Sequence, residues 1–104
     1  MEHLSYIFTG GTRSLPRAFD VVGVVGSGNL EVLIEAVPLQ GDCSIAIATA
    51  AEGYGAIWQA VMTDFHLRWQ LKDTRIAIND MGATPAVVSL RLDQAVETML
   101  EARP

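Results

Sequence analysis

The sequence predicts an α+β fold, a single domain over residues 1–104 in which a mostly antiparallel β-sheet is covered by two helices. Three observations lead to that class. Half of the 104 residues are hydrophobic and only 18% are charged, enough apolar surface for one cooperative core in a chain too short for two ordinary domains. The first half strings together short apolar runs broken by Gly, Pro and Asn, which is the pattern of strands and turns. Beyond Gly53 the apolar period lengthens to that of a helix.

Each element follows from its own spacing. Leu4 to Thr9 reads as a strand with Leu4, Tyr6 and Phe8 on one face, ended by Gly10-Gly11. Arg13 to Arg17, with Pro16, reads as a loop. Phe19 to Val25 is apolar on both faces, which suggests a central strand covered on both sides. Gly26-Ser27-Gly28-Asn29 interrupts the run. Leu30 to Val37 resumes it with Leu30, Val32 and Ile34 on one face and Glu31 and Glu35 on the other. Pro38 to Asp42 is a turn, and Cys43 to Thr49 a strand in which Cys43, Ile45 and Ile47 alternate with small residues.

Tyr54, Ile57, Trp58, Val61, Met62, Phe65 and Trp69 then recur at helical spacing and form one apolar stripe, expected to pack on the sheet. Arg75 to Asp80 and Ala86 to Leu92 read as two further strands joined by Met81-Gly82-Ala83-Thr84-Pro85. Asp93 is the candidate cap of a last helix that packs through Val96, Met99 and Leu100. The expected order is four strands, a helix, two strands and a helix.

Composition narrows the function. Seven basic residues against twelve acidic ones give a net charge of −5, and no Lys/Arg run offers the basic surface that phosphate backbones require. Nucleic acid is not expected as a partner. The single cysteine, Cys43, excludes an internal disulfide framework and reads as a small buried hydrophobe. No apolar run reaches the roughly 20 residues of a membrane span, and Met1-Glu2-His3 lacks the basic start of a secretory signal. The expectation is a cytoplasmic protein without a membrane partner.

Few side chains are left for catalysis. His3 and His66 lack the helical spacing of zinc enzymes, so no metal site is expected. Glu31 and Glu35, four apart on a strand, share a solvent face as ordinary surface charge. Gly26-Ser27-Gly28 is not a nucleophile elbow, because Val25 and Asn29 stand where that motif needs glycine. Nor is it a dinucleotide fingerprint, since Glu31 occupies the third glycine position. From the residues alone Ser27 is a turn residue of a hairpin, with glycines supplying the positive φ that tight turns need. A protruding serine flanked by small residues is also what a modifying enzyme can enclose, so both readings stand at this point.

Two segments resemble a known family. Val24-Val25-Gly26-Ser27-Gly28-Asn29-Leu30-Glu31-Val32-Leu33 resembles the modification-site segment of the malonate decarboxylase acyl carrier subunit, the δ or C subunit, in which aspartate is usual where Asn29 stands. Ile78-Asn79-Asp80-Met81-Gly82-Ala83-Thr84-Pro85 and the residues through Leu92 are similar to the family's late Asp-x-Gly-Ala-Thr-Pro segment. The likeness spans nearly the whole chain.

The resemblance implies a non-catalytic carrier. In such a protein Ser27, flanked by Gly26 and Gly28, would hold a phosphoribosyl-dephospho-coenzyme A group through a phosphodiester, with triphosphoribosyl-dephospho-coenzyme A as donor. The group's thiol would carry acetyl and malonyl, and the hard chemistry would belong to the cofactor and to partner subunits. The implied partners are the transferase subunit that exchanges acetyl for malonyl, the decarboxylase subunits, the malonyl transferase and the prosthetic-group transferase. Asp80, Thr84 and Pro85 read either as a rigid inter-strand turn, with Asp80 bonding nearby backbone N–H groups, or as a docking surface. A carrier of a citrate lyase-type complex and an unmodified interaction module are the competing readings.

Overall fold

The computed structural model describes residues 1–16, 22–27 and 29–101, and for residues 22–27 only the backbone is considered. Nine elements follow one another: β1 (Glu2–Phe8), β2 (Arg13–Ser14), β3 (Val22–Ser27), β4 (Leu30–Ala36), β5 (Cys43–Thr49), α1 (Gly55–Trp69), β6 (Leu71–Lys72), β7 (Thr74–Asp80) and α2 (Pro85–Glu101). Five strands form one sheet in the order β1-β5-β7-β4-β3. Three of its four pairings are antiparallel. The fourth, β5 with β7, is parallel, and α1 is the crossover that a parallel pair needs. The α+β class with a mostly antiparallel sheet is the observed one.

Alternation in sequence becomes alternation in burial. Val32 and Ile34 of β4, Ile45 and Ile47 of β5, and Ile76 and Ile78 of β7 point into one core. Side chains two apart along a strand share a face, so these six form a continuous apolar floor. Trp58, Met62 and Phe65 of α1 and Val88, Leu92, Ala95, Val96 and Met99 of α2 cover that floor. Burying each such branched side chain stabilises the fold by roughly 1.5–3 kcal/mol. Leu4, Tyr6 and Phe8 pack against the edge of the cluster as partly buried residues.

Several expectations are corrected. Ala86–Leu92 is not a strand; it is the first half of α2, and Asp93 lies in the middle of that helix rather than at its start. The reason is at the N-terminus. Thr84 Oγ1 accepts the Val87 N–H at 3.3 Å, the Thr84 carbonyl accepts the Val88 N–H at 3.0 Å, and Pro85 fixes the first helical φ. The turn at 81–85 therefore joins a strand to a helix.

The second strand is Val22–Ser27, and residues 19–21 of its expected span lie outside the described residues. It is a terminal strand of the sheet order, not a central one. Apolar faces report what lies above and below a strand, whereas its place in the sheet depends on the hydrogen-bonded ladder beside it. Arg13–Ser14, expected in a loop, forms a short parallel pairing with Leu71–Lys72. That approach requires Gly11, because a Cβ there would overlap the Leu71 carbonyl. The helical stripe holds in its centre, but Tyr54 and Ile57 at its start remain exposed.

Candidate functional site

One row of the sheet brings the notable sequence segments together. Ser27 pairs with Leu30 across the β3–β4 hairpin, Leu30 with Asp80, Asp80 with Thr49, and Thr49 with Glu2. Ser27 is thus the last residue of β3, and residues 28 and 29 form the connection to β4. Asn29 is exposed, and its carbonyl accepts the Met81 N–H at 2.9 Å. This bond ties the hairpin directly to the segment that leads into α2. Met81 is 62% exposed and Gly82 is also exposed, with φ +113, a left-handed value that suits glycine.

Asp80 holds this corner together. Its side chain is buried, yet both oxygens have donors: Oδ2 accepts the Thr49 hydroxyl at 2.8 Å and Oδ1 accepts the Ala83 N–H at 2.8 Å. The Asp80 carbonyl accepts the Ala50 N–H at 2.9 Å, and Thr49 Oγ1 accepts the Ala51 N–H at 3.1 Å. A buried carboxylate is tolerated only with such partners. One side chain thereby fixes the turn after β7, the end of β5 and the approach to α1. Asp80 does bond a nearby backbone N–H, that of Ala83, in a turn that joins a strand to a helix.

Beside the corner, α1 and α2 part to form a cleft of about 260 Å³. Tyr54, Ile57, Trp58 and Val61 of the α1 side line it together with Pro85 and Val88 of α2 and with Asp80, Gly82 and Ala83 between β7 and α2. Tyr54 stands at the start of α1 without a side-chain cap, and it is 51% exposed. The cleft is predominantly apolar and open at its rim.

Glu35, His66 and Cys43 lie apart from this corner. Gly26 is in β3 opposite Glu31, and Gly28 lies outside the described residues. Glu31 is exposed, while Glu35 reaches Arg75 at 3.5 Å. His66 is partly buried and stacks on Phe8 with ring centroids 4.8 Å apart. Cys43 is buried at the far end of β5, and burial pushes its thiol up to about 12, so it is a packing residue. His3 is an exposed residue of β1.

Comparison with known proteins places the chain. A family model described as the malonate decarboxylase delta subunit matches residues 18–99. The chain belongs to the malonate decarboxylase delta-subunit family. Its relatives include a malonate decarboxylase acyl carrier protein of Stenotrophomonas maltophilia (strain K279a), 57% identical over 105 residues, covering 100% of this chain and 99% of the relative. One from Xanthomonas euvesicatoria pv. vesicatoria (strain 85-10), with the same name, is 62% identical over 102 residues and covers 95% of each chain.

Among solved structures, one chain in the crystal structure of a Pseudomonas malonate decarboxylase hetero-tetramer in complex with malonate superposes with a TM-score of 0.77 at 40% identity. The match covers 95% of the present chain and 99% of that one. The family read from two short segments is therefore the family found over the whole length. What the sequence reading of this delta-subunit chain missed is the cleft. Its signal was present in Tyr54, Ile57 and Trp58, apolar residues at the very start of a helix whose later stripe already suffices for the core.

Proposed function

We propose that this chain is the acyl carrier subunit of a malonate decarboxylase, and that Ser27 is joined through a phosphodiester to a phosphoribosyl-dephospho-coenzyme A group. The observation that carries the reading is the meeting of the two family segments at one corner. Leu30 pairs with both Ser27 and Asp80, and the Asn29 carbonyl accepts the Met81 N–H. The residues suit the group. Ser27 ends β3 at a two-residue connection, and Asn29 of that connection is exposed and bonded through its carbonyl to exposed Met81. Gly26 and Gly28, which flank the serine in sequence, carry no side chains.

When bound, the group supplies a thiol that holds acetyl or malonyl as a thioester, whose carbonyl can accept the charge that develops as carbon dioxide leaves. The chain's own residues position rather than catalyse. Ser27 is the point of attachment. Asp80 and Thr49 keep the hairpin corner in register with the helices through their mutual buried hydrogen bond and the half-buried one from the Ala83 N–H. Tethering gives each partner site a high effective concentration of the carried acyl group. The partners proposed are the acyl-exchanging transferase subunit, the decarboxylase subunits, the malonyl transferase and the prosthetic-group transferase, all in the cytoplasm. The chain's charge of −5 suits complementary partner surfaces.

Intact mass tests the attachment. Wild type co-produced with the modifying enzymes gains the mass of the group, and Ser27→Ala gains none and supports no malonate decarboxylation in the reconstituted complex. Equal masses for the two proteins would overturn the assignment.

A further inference from the structure

We propose that the cleft between α1 and α2 receives the acetyl-thioester end of the group carried on Ser27 and rejects the malonyl thioester. The inference rests on the attachment proposed above and adds a binding site to it. Position is the first argument. Ser27, Leu30 and Asp80 occupy one row of adjacent strands, so the serine backbone lies two strand spacings, about 10 Å, from a residue that lines the cleft. A flexible arm anchored that close presents its end to the cleft at high effective concentration.

Size and lining are the second argument. About 260 Å³ accommodates roughly eight or nine groups the size of a water molecule, at about 30 Å³ each. That is enough for a two-carbon acyl group, its sulfur and the adjoining amide segment, and too little for a long acyl chain. Tyr54, Ile57, Trp58, Val61, Ala83 and Val88 offer apolar contact, and Tyr54 and Ile57 are 51% and 45% exposed without a described cover. Their apolar area is removed from water when the cleft is filled.

Charge gives the selectivity. Asp80 lines the cleft, with its two oxygens already accepting from Thr49 and Ala83, and none of the described lining residues is Lys, Arg or His. A malonyl carboxylate placed there would lose water, meet a like charge and find no cation. Acetyl carries no such charge. The fold thus shelters the acetyl form of the carrier and leaves the malonyl form outside, available to a partner.

The experiment uses the carrier loaded with acetyl or malonyl, each form first verified by intact mass, in wild type and in Ile57→Glu. Thiol release by hydroxylamine is followed with time. The acetyl thioester on wild type should be cleaved about tenfold more slowly than on Ile57→Glu, a factor that corresponds to sheltering roughly two methylene-sized groups. The malonyl thioester should be cleaved at equal rates on both proteins. In wild type, amide resonances of Tyr54, Ile57 and Val61 should shift between the thiol and acetyl forms, a readout independent of how the variant folds.

Equal acetyl rates in both proteins, or resonance shifts confined to residues near Ser27, overturn the sheltering. Protection of malonyl to the same degree as acetyl overturns the selectivity. A loaded chain without protection removes this inference and leaves the carrier reading intact, whereas a chain that never gains mass removes both.

Discussion

The two ends of α1 are built differently, although each faces α2. At the C-terminal end Trp69 donates its indole N–H to Asp93 Oδ1 at 2.9 Å, and Arg68 Nη1 lies 2.6 Å from both Asp93 oxygens. The Arg13 guanidinium sits over the Trp69 ring at 5.5 Å. Gln70 ends the helix in a left-handed conformation, its N–H donating to the His66 carbonyl, while its own carbonyl accepts from Thr12 and Arg13. At the N-terminal end the Tyr6 hydroxyl donates to the Gly55 carbonyl at 3.4 Å, and among the described residues no side-chain bond to α2 is found there. Tyr54 makes no side-chain cap, and the helices separate over the cleft. The helix layer is latched at one end and open at the other, and the open end is the one beside Ser27.

The contrast does not mean that the open end is loosely built. Asp80→Ala should be the most damaging of these substitutions for stability, at about 2–4 kcal/mol, because it leaves the Ala83 N–H without its acceptor and the Thr49 hydroxyl with only the Ala51 carbonyl at 3.4 Å. Urea unfolding monitored by circular dichroism measures it. A loss below 1 kcal/mol would mean that the corner is set by packing rather than by those two bonds.

At the latched end Asp93→Ala should cost less, about 1–2 kcal/mol. Trp69 loses its acceptor, but Arg68 keeps water and its 2.9 Å contact with Asp64. Hydrogen exchange should quicken in the last turn of α1 and remain unchanged around Asp80. Faster exchange at both ends would show that the two ends are coupled.

The smallest effect concerns the opposite end of the central strand, just before β7. Asp73 Oδ1 accepts the Leu39 and Gly41 N–H groups, each at 2.9 Å, and these bonds hold its carboxyl below the usual value of 3.8. A depressed folded-state pKa adds stability above the unfolded value, and that gain disappears as pH falls through the folded one. Wild type should therefore lose melting temperature below about pH 4 more steeply than Asp73→Asn, whose amide does not titrate there. Parallel melting curves across that range would remove Asp73 from the acid response.

Strands β4, β5 and β7 were legible because alternate residues carry both the pattern and the burial, from Leu30 to Ile34 and from Cys43 to Ile47. The centre of α1 was legible for the same reason at helical spacing. The first half of α2 was not. Ala86-Val87-Val88 has the β-branched content of a strand, and that local preference is weak against a Thr84-Pro85 start and the burial of Val88, Leu92, Ala95, Val96 and Met99 along one side. The spacing of those five residues was the signal to weigh.

By itself the sequence determined the α+β class, the faces of the central strands and the family, and it supplied Ser27 as the proposed point of attachment. Those properties are local or follow from pattern along the chain. Tertiary structure decided that Asn29 meets Met81, that Asp80 is shared between Thr49 and Ala83, and that two helices part beside Ser27. The Thr49–Asp80 and Asn29–Met81 contacts join residues 31 and 52 positions apart. Which distant residues become neighbours is set by strand order and register, and apolar periodicity carries no record of either.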